Sequence, residues 1–303
     1  MSNRVRVTAI IIFLNEARFI EEAIASVLAQ DYEQWELILV DDGSTDDSTS
    51  IAKAYATRQP YRIRYLEHPG HENRGMSASR NMGLAHAQGD LVAFLDGDDT
   101  WLPEKLGEQV AILDAHPQVD LVYGRTLLWR GWRATENGHK DSPDNFCDLG
   151  LPQDTIVEPP RLLVSLIENR AQTPTTCNAL MRREVISRVG GFEAAFRGMF
   201  EDQVFFMKLS VTAHVFVASR VWARYRQRND SCSARAEASG QVPEARRMLL
   251  AWIERHLREQ DVRSPEVWRT LRRQQRAARW PVLQWVYAHY DGIRNALGSH
   301  AAR

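Results

Sequence analysis

The sequence predicts an α/β protein built on a doubly wound, mostly parallel β-sheet. Apolar runs of strand length alternate with segments of helical periodicity over the first half of the chain. Several of these runs are apolar throughout rather than at every second position, which is typical of strands covered on both faces. Acidic, glycine-containing turns follow two of the runs, as expected where ligands bind at the carboxyl edge of such a sheet.

The first half of the chain contains four strand-like and three helix-like segments in strict alternation, which implies right-handed crossovers between parallel strands. In chain order we expect a strand at 7–14 (VTAIIIFL), a helix at 16–30, a strand at 35–43 (WELILVDDG), a helix from Asp46 or Asp47 to Arg58, a strand at 63–68 (IRYLEH), a helix at 76–87, and a strand at 91–95.

The second half is less regular. Residues 131–160 are rich in Gly, Pro, Asn and Asp with little periodicity, which is typical of a lid, a binding loop or a plain surface loop. The other expected elements are a helix at 102–115, a strand at 120–130, a helix at 161–169, a strand at 177–181, helices from 184 and at 202–212, a strand at 214–225, and two or three helices in 241–303.

Composition places the chain among ordinary globular proteins. Its 303 residues are 44% hydrophobic and 25% charged, enough for one large domain or a domain with an appendage. Three distant cysteines, Cys147, Cys177 and Cys232, indicate neither a disulfide framework nor a zinc site. The apolar run at 7–14 is too short to span a bilayer and has no cleavage site after it. We therefore expect a cytoplasmic protein.

The strand at 91–95 ends in the turn that carries most of the functional argument. Three carboxylates, Asp96, Asp98 and Asp99, lie together there and repel one another unless a hard cation or hydrogen-bond donors offset their charge. The turn therefore predicts a metal and phosphate site. The simpler interpretation, a polar turn in which Asp99 or Thr100 caps the next helix, stays open from these residues alone.

A second acidic turn, containing Asp41 and Asp42, follows the strand at 35–43. Together the two turns outline a pocket for a nucleotide diphosphate, in which one carboxylate binds the base or ribose and another holds a cation. Neither a GxxxxGKS loop nor a GxGxxG after the first strand is present, so metal and side chains must hold the phosphates. Arg74 and Arg80 could reach them or could be solvated surface residues.

Four segments resemble, in order, the motifs of the family 2 glycosyltransferases with the GT-A fold. They are IIIFLNEARFIEEAIASVLAQDYEQWELILVDDGSTDDS, GMSASRNMGLAHAQGDLVAFLDGDD, GGFEAAFRGMFEDQVFFMKL and YRQRNDSCS, which together span about residues 5 to 235. The resemblance implies transfer of a sugar from a nucleotide-diphosphate sugar, with UDP-sugars favoured, to a hydroxyl acceptor. It also implies inversion at the anomeric carbon and assistance by Mn²⁺ or Mg²⁺.

The resemblance also assigns roles to residues. It implies nucleotide contacts from the end of the first strand and from the two acidic turns, a metal bound by the last acid of the Asp-Gly-Asp motif with its neighbour, and a general base in the Glu-Asp pair. The residues concerned are Phe13, Asn15, Glu16, Asp41, Asp42, Arg80 and Asp96 for the nucleotide, Asp98 and Asp99 for the metal, and Asp202 with Glu201 for catalysis.

The chemistry of the reaction needs these residue types. A hydroxyl is a weak nucleophile, so a carboxylate must take its proton, and a cation must neutralise the leaving diphosphate. The position of Glu201 and Asp202 before an apolar helical run also fits an ordinary helix N-terminus, and both roles can hold together.

The sequence departs from the family pattern at two places. Ile12 stands where the family often has Pro, which concerns backbone shape more than chemistry. In the last motif Arg228 replaces a histidine. Arginine cannot ligate a metal, but Arg226 or Arg228 could clamp the diphosphate; a surface role for either stays open.

The expected organisation is a glycosyltransferase domain at 1–235, with a nucleotide-sugar half at 1–125 and an acceptor half at 126–235, followed by a helical extension at 236–303. Residues 241–303 carry 12 arginines and no lysine against 6 acidic residues. This extension predicts helices packed with solvated arginines, or peripheral contact with the inner face of an anionic membrane and a lipid-linked acceptor. Nucleic acid is not an expected partner, because no recognised nucleic-acid motif accompanies the charge.

Two other functions compete with glycosyl transfer, whose expected products are cell-surface polysaccharide or lipopolysaccharide. A sugar nucleotidyltransferase is disfavoured, because the glycine-rich loop expected after the first strand is absent. A non-catalytic sugar-nucleotide-binding or scaffold protein is disfavoured by the intact acids.

Overall fold

The computed structural model describes residues 5–133, 143–171, 174–197, 199–231, 234–235 and 238–279. Its strands form one sheet that runs through both halves of the predicted catalytic domain. The strands are β1 (Val7–Phe13), β2 (Trp35–Asp41), β3 (Ile63–Glu67), β4 (Leu91–Asp96), β5 (Thr100–Trp101), β6 (Leu121–Trp129), β7 (Asn145–Phe146), β8 (Thr155–Val157), β9 (Leu180–Arg182) and β10 (Val215–Arg226).

Helices cover this sheet on both faces and extend it at the C-terminus. They are α1 (Ile20–Leu28), α2 (Ser48–Arg58), α3 (Met76–His86), α4 (Lys105–Ala115), α5 (Arg161–Glu168), α6 (Arg183–Arg188), α7 (Glu201–Leu209), α8 (Val242–Glu259) and α9 (Pro265–Arg279). None of the helices in the described ranges is both long enough and apolar enough to cross a lipid bilayer.

The strand order is β3-β2-β1-β4-β9-β6-β10-β5, with β7 on β6 and β8 on β10. Strands β3, β2, β1 and β4 are mutually parallel, and β6 is parallel to β10. The short β9 runs antiparallel between β4 and β6 and joins the two parallel groups. The predicted α/β class with a mostly parallel sheet is therefore confirmed.

The core lies on both faces of the sheet. Along β1, Ile10 and Ile12 pack on one face with α3, α5, α7, α8 and α9, while Ile11 and Phe13 pack on the other face with α1 and α4. All seven residues of β1 are buried, which explains why its sequence is apolar without alternation.

Sequence and structure differ mainly in the short strands. Strands β5, β7 and β8 were not predicted, because two or three residues leave no periodicity to detect. Two of them, β7 and β8, fall in the loop predicted at 131–160, of which 134–142 lies outside the described residues. Any predicted helix beyond residue 279 also lies outside them.

The order in which strands are added to the sheet reverses at β1. From β1 the chain adds β2 and then β3 on one side, and it then returns to add β4 on the other side of β1. At this switch point the carboxyl ends of neighbouring parallel strands diverge and leave a crevice. The acidic turn after β4 lies beside β1, whose other neighbour β2 carries the second acidic turn. The topology therefore places both turns at the edge where ligands bind.

Candidate active site

The turn after β4 is held tightly against the end of β1. The backbone N–H of Gly97 donates to the carbonyl of Ile12 at 3.0 Å, and that of Asp99 donates to the carbonyl of Asp96 at 3.1 Å. A Cβ at position 97 would lie 2.8 Å from the Cβ of Phe13. Glycine is therefore required at the centre of the Asp-Gly-Asp motif, and its two flanking acids are fixed by backbone contacts.

Asp98 and Glu16 both contact the guanidinium group of Arg228. One terminal nitrogen of Arg228 lies 2.5 Å from a Glu16 carboxylate oxygen and 3.2 Å from Asp98 Oδ2. Burial, followed by the charge of Asp96, raises the pKa of Asp98 to about 6. Burial and the charge of Asp98 raise the pKa of Glu16 to about 7. Even with Arg228 present, negative charge at this point is therefore unfavourable and would be relieved by a further cation.

Arg228 is held in turn by Asp230. The Nε and one terminal nitrogen of Arg228 donate to the two carboxylate oxygens of Asp230, each at 2.9 Å. This two-point pair aims the remaining nitrogen at Glu16 and Asp98. Hydrogen bonding to Asp230, and the charges of Glu16 and Asp98, raise the pKa of Arg228 above its usual value. Sequence reasoning missed Asp230, although its position two residues after Arg228 was the available signal.

The structure does not bring Asp99 to the position predicted for a metal ligand. Its side chain is buried, and Oδ1 accepts the backbone N–H of Arg226 at 2.8 Å. The other oxygen, Oδ2, is also buried. Burial raises the pKa of this carboxyl well above its usual value. Asp99 therefore links the acidic turn to β10 instead of facing the crevice with Asp98.

Arg226 also departs from its predicted role in clamping a diphosphate. Its side chain is 3% exposed, so it has no surface to offer a ligand. Nε donates to the carbonyl of Asp98 at 2.7 Å, and a terminal nitrogen pairs with Glu22 at 2.5 Å. The guanidinium lies within 4.4 to 5.1 Å of the ring centroids of Phe19, Trp129 and Trp132. Arg226 is thus a structural support beneath the acidic turn.

Replacing Arg226 by methionine is expected to lower the free energy of unfolding by about 2–4 kcal/mol, because hydrogen bonds to charged groups and cation–π contacts are lost together. Urea denaturation would measure the loss. Arg224→Met is the matched control: Arg224 is exposed and has a ring contact with Trp129, so we expect a change of about 0.5 kcal/mol or less. An unchanged stability of Arg226→Met with a raised KM for the donor would instead favour diphosphate binding.

The carboxylates of Asp41 and Asp42 are engaged by protein donors. Asp41 accepts the backbone N–H of Ser44 at 2.8 Å and the hydroxyls of Thr49 and Tyr65 at 2.5 and 3.1 Å. Asp42 accepts the backbone N–H groups of Arg74 and Gly75, at 2.8 and 3.0 Å, and the hydroxyl of Ser79 at 3.0 Å.

These contacts shape the wall of the crevice. Gly75, with φ of +88°, precedes α3, and the Asp42 carboxylate fixes this turn. Nucleotide contact by Asp41 and Asp42 stays a prediction. For Arg74 the sequence left open a contact with the phosphates or a solvated surface role; its side chain pairs with Glu72 at 3.0 Å and is half exposed, which agrees with the surface role.

The end of β1 is tied to the loop after β2. The side-chain oxygen of Asn15 accepts the backbone N–H of Thr45 at 2.7 Å, and the backbone N–H of Asn15 donates to Ser44 Oγ at 3.0 Å. Asn15 has a φ of +56°, a left-handed conformation that asparagine tolerates. Phe13 is buried and accepts the N–H of Asp42 through its carbonyl at 2.9 Å. Phe13 therefore contacts the loop after β2 through its backbone, and Asn15 contacts it through both its backbone and its side chain.

Arg80 joins the two acidic groups that the sequence predicts for different tasks. One terminal nitrogen lies 2.8 Å from Asp96 Oδ1 and the other lies 3.2 Å from Glu201 Oε1. The side chain is 1% exposed and packs against the ring of Phe192. Burial opposes its charge, but Asp96 and Glu201 outweigh burial and raise its pKa. Arg80 is therefore an internal link and does not extend to the phosphates as predicted.

Glu201 and Asp202 form the first turn of α7. The residue before them, Phe200, has a φ of +63°, so the chain turns sharply into the helix. Glu201 is buried against Arg80, whereas Asp202 is partly exposed and accepts the backbone N–H of Gln203 at 2.7 Å. Burial and the charge of Glu201 raise the pKa of Asp202 to about 7. A carboxyl group with this pKa exchanges protons near neutral pH, as a general base requires.

The oxygen ligands available near Asp98 fit a hard divalent cation. Asp96, Asp98 and Glu16 offer carboxylates, the donors that Mg²⁺ and Mn²⁺ prefer. Among the described residues, no group of three or more His, Cys, Asp or Glu side chains has the geometry of a complete metal site. One or two carboxylates suffice when substrate phosphates supply other ligands. The arrangement fits a metal brought to the site with a diphosphate.

Solved structures with a similar arrangement of strands and helices identify the fold of this protein. Over 99% of this chain and 80% of the other, the mannosyltransferase PcManGT from Pyrobaculum calidifontis superposes with a TM-score of 0.62 at 22% identity. TarS from S. aureus, solved with UDP-GlcNAc, superposes over 81% of this chain and 66% of the other with a TM-score of 0.59 at 22% identity. The fold is that of the GT-A glycosyltransferases.

Sequence comparison then gives the family. The family model described as glycosyl transferase family 2 matches residues 8–190, and the chain belongs to this family. The putative glycosyltransferase EpsE of Bacillus subtilis (strain 168) is 41% identical over 122 residues, 40% of this chain and 43% of EpsE. The putative teichuronic acid biosynthesis glycosyltransferase TuaG, also of Bacillus subtilis (strain 168), is 41% identical over 100 residues, 33% of this chain and 38% of TuaG. The chain thus spans less than half the length of both relatives.

Proposed function

We propose that this protein transfers a sugar from a nucleotide-diphosphate sugar to a hydroxyl group of a glycan or lipid-linked acceptor, with inversion at the anomeric carbon. Asp202 is the general base, Asp96 binds the ribose, and Asp98 binds Mn²⁺ or Mg²⁺ with the diphosphate. The product class is cell-surface polysaccharide or lipopolysaccharide. Membership in glycosyl transferase family 2 supports the reaction class.

The observation that carries the proposal is the double contact of Arg80. A single buried guanidinium binds Asp96, in the motif assigned to the donor, and Glu201, the residue next to the assigned base. Both contacts lie within 3.2 Å, so the donor turn and the start of α7 are held in fixed register. Inversion requires a base on the side of the anomeric carbon opposite the leaving group, and the fixed register between the donor turn and α7 supports Asp202 in that role.

The chemical step needs a proton acceptor that is ionised at neutral pH. As the acceptor oxygen bonds to the anomeric carbon, its proton passes to the Asp202 carboxylate, and the bond from that carbon to the diphosphate oxygen breaks. The pKa of about 7 leaves a large share of Asp202 ionised at pH 7 and still basic enough to take the proton. The N–H of Gln203 orients the carboxylate, since it occupies one of its oxygens.

The leaving diphosphate gains negative charge as the bond breaks. Arg228 is the cation in position to meet it, because it already lies at the crevice beside Asp98 and is aimed by Asp230. A divalent cation held by Asp98 supplies further neutralisation of the diphosphate when it is bound. Glu16 shares the Arg228 guanidinium and so positions it for the nucleotide.

The comparisons support a nucleotide-sugar donor but leave its base open between uracil and guanine. TarS was solved with UDP-GlcNAc and PcManGT with GDP-Man and Mn²⁺. The name of TuaG refers to teichuronic acid biosynthesis, which agrees with an extracellular polymer as the product class.

A binding and hydrolysis screen tests the proposal. The full chain would be titrated with UDP- and GDP-sugars by calorimetry, with and without Mn²⁺, and donor hydrolysis would be followed in parallel. We expect binding of one nucleotide class, strengthened by Mn²⁺, and slow hydrolysis of its sugar donor. Binding without turnover on any acceptor would favour a non-catalytic binding or scaffold protein, and absence of all nucleotide-sugar binding would overturn the proposal.

A further inference from the structure

Helix α9 carries four exposed arginines that no part of the proposed reaction uses. They are Arg269, Arg272, Arg276 and Arg279, here called the arginine stripe. Their spacings of three, four and three residues place them within an arc of about 80° on the helix, along a line about 15 Å long. The four guanidinium groups therefore form a continuous row of positive charge along one side of α9.

In the part of the chain that the structure describes, no carboxylate forms an ion pair with any of the four members of the arginine stripe. The other exposed arginines of α8 and of the turn before α9 all have acidic partners: Arg247 pairs with Glu244, Arg255 with Glu259, Arg258 with Glu254 and Arg263 with Asp261. Like charges three and four residues apart destabilise a helix, so the stripe has a cost that an external anion would remove.

The opposite side of α9 fixes the direction in which the stripe faces. Val267 and Leu271 are buried in the core that α9 shares with α5 and α8, and Ala277 is also buried. Arg273, at the border of the two sides, pairs with Glu168 of α5 at 2.8 Å. The helix therefore cannot rotate without losing this packing, and the arginine stripe points outward.

We propose that the arginine stripe is a docking surface for the anionic headgroups of a lipid bilayer. Guanidinium groups bind phosphate with paired hydrogen bonds, and a straight stripe on one helix matches a flat surface better than a compact soluble anion. The sequence immediately after the stripe contains Trp280, Trp285 and Tyr287, residue types enriched at membrane interfaces. This composition favours a lipid surface over an acidic glycan as the partner.

Vesicle sedimentation tests this proposal with the full chain. Vesicles of phosphatidylcholine alone would be compared with vesicles containing about one third phosphatidylglycerol, which supplies the negative surface. We expect binding to the anionic vesicles only, weakened when salt is raised from about 0.1 M to about 0.5 M. Each basic residue near such a surface adds about fivefold to binding, so the variant R269Q/R272Q/R276Q/R279Q should lose about 100-fold or more.

The matched control is R247Q/R255Q/R258Q/R263Q, which removes the same charge from arginines that have acidic partners. We expect it to keep most of the binding, and thermal unfolding would show that both variants fold. Equal losses in the two variants, or equal binding to neutral vesicles, would overturn the proposal. Binding to a soluble polyanion such as heparin but not to anionic vesicles would also overturn it. Because donor binding is measured separately, failure here leaves the proposed reaction untouched.

Discussion

Asp202→Asn is expected to lower kcat by about 10²- to 10⁴-fold while leaving nucleotide-sugar affinity within about threefold of the native value. Asparagine keeps the shape of the side chain and its oxygen can still accept the N–H of Gln203, so the start of α7 should persist. The asparagine side chain cannot take the proton from the hydroxyl of the acceptor, so the substitution removes only the function of the base. Calorimetry with the donor and initial-rate kinetics with an acceptor would separate the two quantities.

The control for this variant is Asp47→Asn. Asp47 is an exposed aspartate at the N-cap of α2, so the substitution makes the same chemical change at the N-terminus of another helix. Unchanged kinetics are expected there. If Asp202→Asn kept full turnover, or if it lost donor affinity and turnover equally, the assignment of Asp202 as base would fail.

The raised pKa of Asp202 predicts the direction in which kcat and the stability of the fold change with pH. Native kcat should rise with pH through about 7 as the base ionises, and Asp202→Asn should show no such rise. A carboxyl whose pKa is higher in the folded state stabilises the fold most below its unfolded pKa, and this contribution is lost as pH rises through about 7. Thermal unfolding should therefore show Asp202→Asn gaining stability relative to the native chain as pH rises from about 4 to about 7, with a constant difference at higher pH.

The long elements were predictable because their patterns are strong. The strand β1 is buried on both faces and therefore apolar throughout, and α1 has buried residues at helical spacing. The antiparallel β9 was placed by its apolar residues, but its direction depends on pairing with both β4 and β6, which no local pattern encodes. The alternation of strand-like and helix-like runs indicated the fold class, and the order of the four motifs, rather than any one of them, indicated the family.

Among the candidate site residues, the locations of Asp96, Asp98 and Asp202 followed more directly from the sequence than the locations of the arginine side chains. The locations of Asp96, Asp98 and Asp202 follow from the predicted elements, because each residue lies at or just after the end of a strand or at the start of a helix. An arginine side chain is long, so its sequence position says little about where its charge lies. The sequence left open whether Arg80 contacts the phosphates or lies on the surface, and its side chain instead lies buried between Asp96 and Glu201.

The length of the arginine side chain also explains why two arginines near the end of β10 have different surroundings. Arg226 is enclosed by aromatic rings and hydrogen-bonds beneath the acidic turn, whereas Arg228, two residues later, lies at the crevice. The rings come from Phe19, Trp129 and Trp132, which are distant in sequence, so only the fold assembles them. Both side chains emerge at the end of β10, and only their partners distinguish a support from a ligand-binding group.

Asp98→Ala is expected to abolish the effect of Mn²⁺ on nucleotide binding and to lower kcat/KM by about 100-fold or more, because a metal–diphosphate contact is worth several kcal/mol. The variant also releases Arg228 from one of its partners, which leaves that guanidinium freer to meet the diphosphate. One delocalised positive charge replaces a divalent ion incompletely, so the loss should outweigh this gain. Calorimetric titration of nucleotide with and without Mn²⁺ measures the first effect directly.

Two companion variants make the assignment specific. Asp99→Asn, in the same turn, should keep the response to Mn²⁺, because Asp99 is buried and its Oδ1 accepts the N–H of Arg226. If Asp99→Asn lost the response to Mn²⁺, the result would instead support Asp99 as a metal ligand. The double variant Asp98→Ala/Arg228→Gln should lose more activity than Asp98→Ala alone, since it removes the remaining cation. If the double variant were no worse, Arg228 would not be neutralising the leaving group, and its contact with Asp98 would be only structural.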